Sequence, residues 1–141
     1  MRQTNLLLMG AALFGLAAVP GRAAEIKVVA NASIAGSSVS SDDLKRVFLA
    51  TKTILSDGSH VEPVLLKSGP AHEAFIKQYL GKTAAALESY YRGLVFTGRG
   101  FMPKTVASEA ELVDLVSKTK GAIGYVSAKT GTGNTNVIEV K

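Results

Sequence analysis

Ser108-Glu109-Ala110-Glu111-Leu112-Val113-Asp114-Leu115-Val116-Ser117-Lys118-Thr119-Lys120-Gly121-Ala122-Ile123-Gly124-Tyr125-Val126 carries two structural elements and the stop between them. Ser108 stands three residues before Glu111, the spacing of a capping box, in which each side chain satisfies a backbone N–H of the helix start. Leu112, Leu115 and Val116 then repeat at helical spacing, Lys118 and Lys120 suit the negative end of the helix dipole, and Gly121 supplies the stop. Residues 122–126 read as a buried strand. Within it, Gly124 lets neighbouring backbone approach, and Tyr125 packs inside with a hydroxyl that needs a partner. A capped helix feeding a buried strand is the unit of an α/β domain.

The same alternation extends toward the N-terminus. Residues 26–30 read as a strand rich in β-branched residues, followed by a polar loop over 31–40. Ser40 caps a helix whose first turn holds Asp42 and Asp43 and whose apolar face is Leu44, Val47 and Phe48. A loop with an Asp57-Gly58 turn leads to a strand over 61–66, and Pro63 predicts that this strand is an edge or starts irregularly. Pro70 opens a helix that stops at Gly81, and Thr83 opens another carrying Leu87, Tyr90, Tyr91 and Leu94, whose end Gly93 obscures. Residues 97–103 read as a surface loop, and residues 137–140 as a last strand after a Gly/Thr/Asn loop. The fold class predicted is α/β, a single domain with a mixed sheet flanked by helices.

Arg2 followed by an uncharged apolar run over residues 6–19 and small residues before a cut after Ala23 predict a cleavable signal peptide over 1–23. The run is shorter than the roughly 18 to 20 residues that span a bilayer. The domain then covers 24–141, and the protein is expected to be exported to the periplasm. The chain has no Cys, which excludes a disulfide framework, thiol catalysis, Cys-ligated metals and an acylated N-terminal Cys. The formal charge of +5 includes Arg2 and Arg22, leaving about +3 after the cut, scattered and without an aromatic-interleaved basic stripe. Nucleic acid is not expected as a partner. No cofactor is expected, and the two His offer no metal-ligand spacing.

Four segments in order carry a family resemblance: Leu44-Lys45-Arg46-Val47-Phe48-Leu49 with Asp57-Gly58 after it, the Ser68-Gly69-Pro70 helix entrance leading to Phe75, Phe96-Thr97-Gly98-Arg99-Gly100, and Lys120-Gly121-Ala122-Ile123-Gly124-Tyr125-Val126. Together they resemble the phosphate-type periplasmic substrate-binding proteins of ABC transporters, in particular the small single-domain members. The last segment differs from the family's pattern only by Lys120 in place of Pro. The resemblance implies one lobe of a type-2 periplasmic binding protein, no enzymatic activity, and a phosphate-like oxyanion as ligand. It also implies a membrane transporter or another periplasmic protein as partner, and a dimer or a partner would supply the opposing wall that a single lobe lacks. Two-lobed relatives grip phosphate with an Arg, an Asp and a Ser-Gly-Thr turn. Here the matching turn is Lys67-Ser68-Gly69-Pro70, without the Thr and without an Arg upstream. Leu55 and Tyr91 stand near positions where relatives often have Trp, and they read as packing sites.

The ligand-binding residues this points to are Lys67, Ser68, Gly69, His72 and Arg99. A helix start offers backbone N–H groups and a positive dipole end to an anion. Ser68 adds a hydroxyl, protonated His72 and Lys67 add charge, and Arg99 is presented between Gly98 and Gly100. The function expected is that of an exported, non-enzymatic substrate-binding-like protein. The alternative is an interaction or scaffold module that retains the fold without the ligand. A catalytic use of Ser68, His72 and Glu73 or Glu62 lacks the Gly-x-Ser-x-Gly elbow, and Asp42 with Asp43 is explained by the helix dipole.

Overall fold

The computed structural model describes residues 25–141, so the predicted signal peptide lies outside the described residues. In chain order the elements are β1 (Ile26–Ala30), β2 (Ser38–Val39), α1 (Ser41–Phe48), β3 (Glu62–Leu66), α2 (Pro70–Phe75) running on as a π-helical turn (Ile76–Leu80), α3 (Ala84–Phe96), β4 (Lys104–Val106), α4 (Glu109–Lys118), β5 (Ala122–Ser127) and β6 (Asn136–Val140). The six strands form one mixed sheet in the order β2-β6-β1-β5-β3-β4. β1 runs antiparallel to both β5 and β6, whereas β3 is parallel to β4 and β5, and β2 is parallel to β6.

Tyr125 and Gly124 define the two faces of the sheet, because successive strand residues point to opposite sides. The Tyr125 ring stacks on Phe75 of α2 with centroids 3.9 Å apart and tilts against Phe48 of α1 at 5.9 Å. On the other face a Cβ at Gly124 would come within 2.7 Å of Leu112 Cδ2 and 3.2 Å of the Val64 carbonyl oxygen. Helix α4 therefore lies directly on the backbone of β5, and the sheet is sandwiched between α1 with α2 and α4. Val28, Val29, Ala30, Ile123 and Val126 are buried accordingly.

The helix starts form as the sequence predicts. Ser40 Oγ accepts from Asp43 N–H at 3.0 Å, Thr83 Oγ1 from Ala86 N–H at 3.2 Å, and Ser108 Oγ from Glu111 N–H at 3.1 Å. Glu111 returns to the N–H of Ala107 rather than to that of Ser108, at 3.2 Å. Helix α3 runs through Gly93 to Phe96 and ends in a Schellman motif, in which Gly98 (φ 69°) and Arg99 donate to the Val95 and Leu94 carbonyls at 3.1 and 2.9 Å. Gly98 is therefore the C′ glycine of α3. Tyr90 and Tyr91 then dock α3 on the end of α1, their hydroxyls donating to the carbonyls of Leu49 and Phe48, which the helix cannot satisfy itself.

The edge expectation for β3 needs correction: it lies inside the sheet, between β5 and β4. Glu62 N–H donates to Gly121 O on the β5 side at 2.8 Å, so the ring nitrogen of Pro63 faces the β4 side, and β4 begins only opposite Val64. A missing donor is tolerated there because that side has no ladder to join. Two short strands, β2 and β4, form within stretches that read as loop or carried no pattern.

Candidate functional site

The turn after β3 is fixed by the strands around it. Leu66 N–H donates to the Tyr125 hydroxyl at 3.1 Å and Lys67 N–H to Val106 O at 2.9 Å, so the chain leaves the sheet tied to β5 and β4. Gly69 then takes φ 109°, a value L side chains rarely adopt, and Pro70 occupies the first helical position. No side chain caps this start, and the N–H groups of Ala71 and His72 take no hydrogen-bond partner among the described residues. Ser68 and Lys67 are exposed.

His72 is buried, with 5% of its surface accessible. Its Nδ1 lies 2.5 Å from the Tyr125 hydroxyl, and the rings stack with centroids 6.1 Å apart. The Tyr125 oxygen already accepts from Leu66 N–H, so its single proton is satisfied by donation to His72 Nδ1. That assigns the imidazole proton to Nε2. Desolvation holds the His72 pKa below its ordinary value, against a smaller opposing effect of Glu73. Burial likewise pushes the Tyr125 hydroxyl far above the usual tyrosine range. His72 is thus a neutral N–H donor rather than the cation its sequence position suggests. Among the described residues no buried side-chain polar atom lacks a partner, so Nε2 is open to the groove that His72 lines.

That groove has a volume of about 320 Å³ and brings His72 together with Lys67, with Thr105, Glu88, Tyr91 and Met102 around them. Glu88 is engaged by Arg92 one helical turn on. Ser68 and Gly69 make the turn but do not line the groove. Arg99 lines a different one, of about 580 Å³, with His60, Glu62, Pro63 and Lys104 at the start of β3 and β4. Lys67 lies at the opposite end of β3, and Met102 is shared between the two grooves. The structure therefore gathers Lys67 and His72 and leaves Arg99 apart. No hydrogen bond joins Ser68 to His72 among the described residues, because the His72 nitrogen facing the core is held by Tyr125.

The partnership of Tyr125 with His72 is not visible in sequence as a pair. Its signal is present in each half, a Tyr inside a buried strand and a His in the first turn of a helix with apolar neighbours. Thr105 and Tyr91 join the groove only through the β3–β4 pairing and the docking of α3.

The fold is that of the phosphate-type substrate-binding proteins. An ABC-type phosphate transport receptor from Vibrio cholerae superposes with a TM-score of 0.59 at 14% identity over 83% of this chain and 46% of its own. A Clostridium perfringens protein described as a phosphate ABC transporter substrate-binding protein, with phosphate bound, gives 0.63 at 15% identity over 83% and 45%. PstS from Borrelia burgdorferi gives 0.62 at 14% identity over 84% and 47%. The chain thus spans a little under half the length of these proteins. No protein-family profile and no curated protein sequence matches it. Among the described residues no helix is long and apolar enough to cross a membrane.

Proposed function

We propose that this is an exported, non-enzymatic binding protein that holds a small oxyanion of the phosphate type in the groove between Lys67 and His72, in association with a membrane transporter. The observation that carries the reading is the Tyr125–His72 pair, which aims a neutral Nε2–H into the groove beside the Lys67 ammonium. The unpartnered N–H groups of Ala71 and His72 and the Ser68 hydroxyl lie on the adjoining turn. A fold shared with phosphate-binding proteins supports the oxyanion class.

The affinity expected is low. Lys67 is exposed, and an exposed ion pair contributes only about 0–1 kcal/mol. Lys also lacks the two-pronged grip of Arg. Binding in the millimolar range corresponds to about 4 kcal/mol. Titration calorimetry of residues 24–141 against phosphate and sulfate tests the proposal. Lys67→Ala and His72→Gln weaken binding several-fold, while Arg99→Ala leaves it unchanged. No heat and no thermal shift at millimolar anion rejects the oxyanion site, and a loss of binding in Arg99→Ala returns Arg99 to it.

A second reading, an interaction module that keeps the fold without the ligand, is favoured by the one-sidedness of the groove, whose Lys67, like Ser68 on the adjoining turn, faces solvent rather than an opposing wall. Clear phosphate binding together with no stable partner in a periplasmic pull-down would reject it.

A further inference from the structure

The C-terminal end of α3 and the loop that follows it carry the most exposed large apolar side chains of the described residues. Phe96 is 93% and Phe101 89% accessible, with Met102 at 50% and Val95 at 49% beside them. Burying a Phe side chain stabilises a protein by roughly 1.5–3 kcal/mol, so two aromatics held in water on one loop need an account. The loop is not slack. Backbone bonds fix Thr97, Gly98 and Arg99 to the carbonyls of Gly93, Val95 and Leu94 at the end of α3, and the Thr97 hydroxyl donates to the Gly93 carbonyl at 2.8 Å.

Residues 89–108 contain no Asp or Glu and hold Arg92, Arg99 and Lys104. The acidic groups around the loop are few. Glu88 is paired with Arg92, and Asp43 is paired with Lys52 at 2.7 Å. Glu62 faces the same groove as Arg99, Lys104 and His60, leaving the cations in excess. What the loop presents is therefore apolar surface and positive charge, with the backbone N–H groups from Thr97 to Arg99 and the Thr97 hydroxyl already hydrogen-bonded. A protein partner recognises directional donors and acceptors as well as area. A fluid anionic bilayer takes up apolar area and positive charge without directional partners.

We propose that the loop carrying Phe96, Arg99 and Phe101 is a membrane-docking tip, its two Phe side chains entering the headgroup boundary and Arg99 and Lys104 pairing with anionic lipid phosphates. The surface is distinct from the Lys67–His72 groove, and the proposal stands whether or not that groove binds an anion.

The test is co-sedimentation with lipid vesicles of residues 24–141, whose buried core lies entirely between Val28 and Ile138. Vesicles of phosphatidylcholine with phosphatidylglycerol are compared with phosphatidylcholine alone. The protein is expected to bind the anionic vesicles, more weakly in high salt. Phe96→Ser with Phe101→Ser lowers the partition coefficient by about tenfold per residue, and Arg99→Glu with Lys104→Glu abolishes the preference for phosphatidylglycerol. These side chains are outside the core, so all variants keep the wild-type circular dichroism and thermal midpoint. Absence of binding to anionic vesicles, or a Phe96→Ser/Phe101→Ser variant that binds like wild type, overturns the proposal. A self-association that the same variant abolishes, without vesicle binding, assigns the two aromatics to a second copy of the chain and overturns it as well.

Discussion

Tyr125→Phe separates the hydrogen bonding of this core from its packing. The substitution keeps the ring, and with it the stack on Phe75 at 3.9 Å and the contact with Phe48, and removes only the hydroxyl oxygen. Two groups lose their partner: the N–H of Leu66, in a residue 4% accessible, and Nδ1 of His72. A buried donor or acceptor left unpaired costs about 1–3 kcal/mol. His72 recovers part of its share by exchanging tautomer, so the sum is set at about 2–4 kcal/mol, a large part of the roughly 5–15 kcal/mol that stabilises a domain. With an unfolding entropy of about 2.1 cal/mol/K per residue, a domain of this size loses about 4 °C per kcal/mol, which predicts a fall in Tm of about 8–16 °C. The chain has no Trp, so urea unfolding followed by far-UV circular dichroism is the appropriate assay. The midpoint should move and the slope should not, since the surface exposed on unfolding is unchanged. A double-mutant cycle with His72→Leu should return a coupling of about 1–2 kcal/mol. A cost below about 0.5 kcal/mol, or no coupling, would refute the claim that this hydroxyl bridges β3, α2 and β5.

The remaining predictions concern protonation and close packing. Burial lowers the His72 pKa in the folded chain below its unfolded value of 6.5, so the unfolded chain takes up the proton first as pH falls. Stability is therefore full above the unfolded pKa and declines as pH drops below it toward the folded value; urea midpoints across this range should show the slope in wild type and not in His72→Gln. Asp43 and Asp57, whose pKa values are lowered chiefly by hydrogen bonds from Lys52 and Ser59, act in a separate window below their unfolded value of 3.8. Gly124→Ala forces a methyl against Leu112 Cδ2 and the Val64 carbonyl, and should destabilise by about 1–3 kcal/mol by lifting α4 off the sheet. An unchanged thermal midpoint would refute the close packing of α4 on β5.

The elements that were legible from sequence are those whose local chemistry and tertiary role agree. Ser40, Thr83 and Ser108 are good caps in isolation and act as caps here, and the run from Ala122 to Val126 is apolar because both sheet faces are covered. β2 and β4 were not legible, because two or three residues carry no period; Lys104–Val106 becomes a strand only because β3 offers it an open edge. Pro63 marks the irregular start of β3 and not an edge, since a strand can be interior overall and still have one side free at a single residue. At the site, Lys67 and His72 are close in sequence and stay close in space. Arg99 was drawn to them by its glycines, but Gly98 serves the end of α3, and nothing local encodes which end of the sheet the loop will face. The charge and tautomer of His72 are equally hidden, because the charge depends on burial in the folded chain and the tautomer on Tyr125, 53 residues away in sequence.

The position of β1 has a consequence for how the chain reaches its fold. Both of its neighbours, β5 and β6, lie near the other end of the described chain, with Ile26 registered against Ser127 and Val28 against Ile138. The first strand among the described residues therefore has no sheet to join until nearly every other described element has emerged. Contacts this distant in sequence slow folding, because loop closure must precede any reward from pairing. A chain wired in this order cannot close its sheet until β5 and β6 are in place.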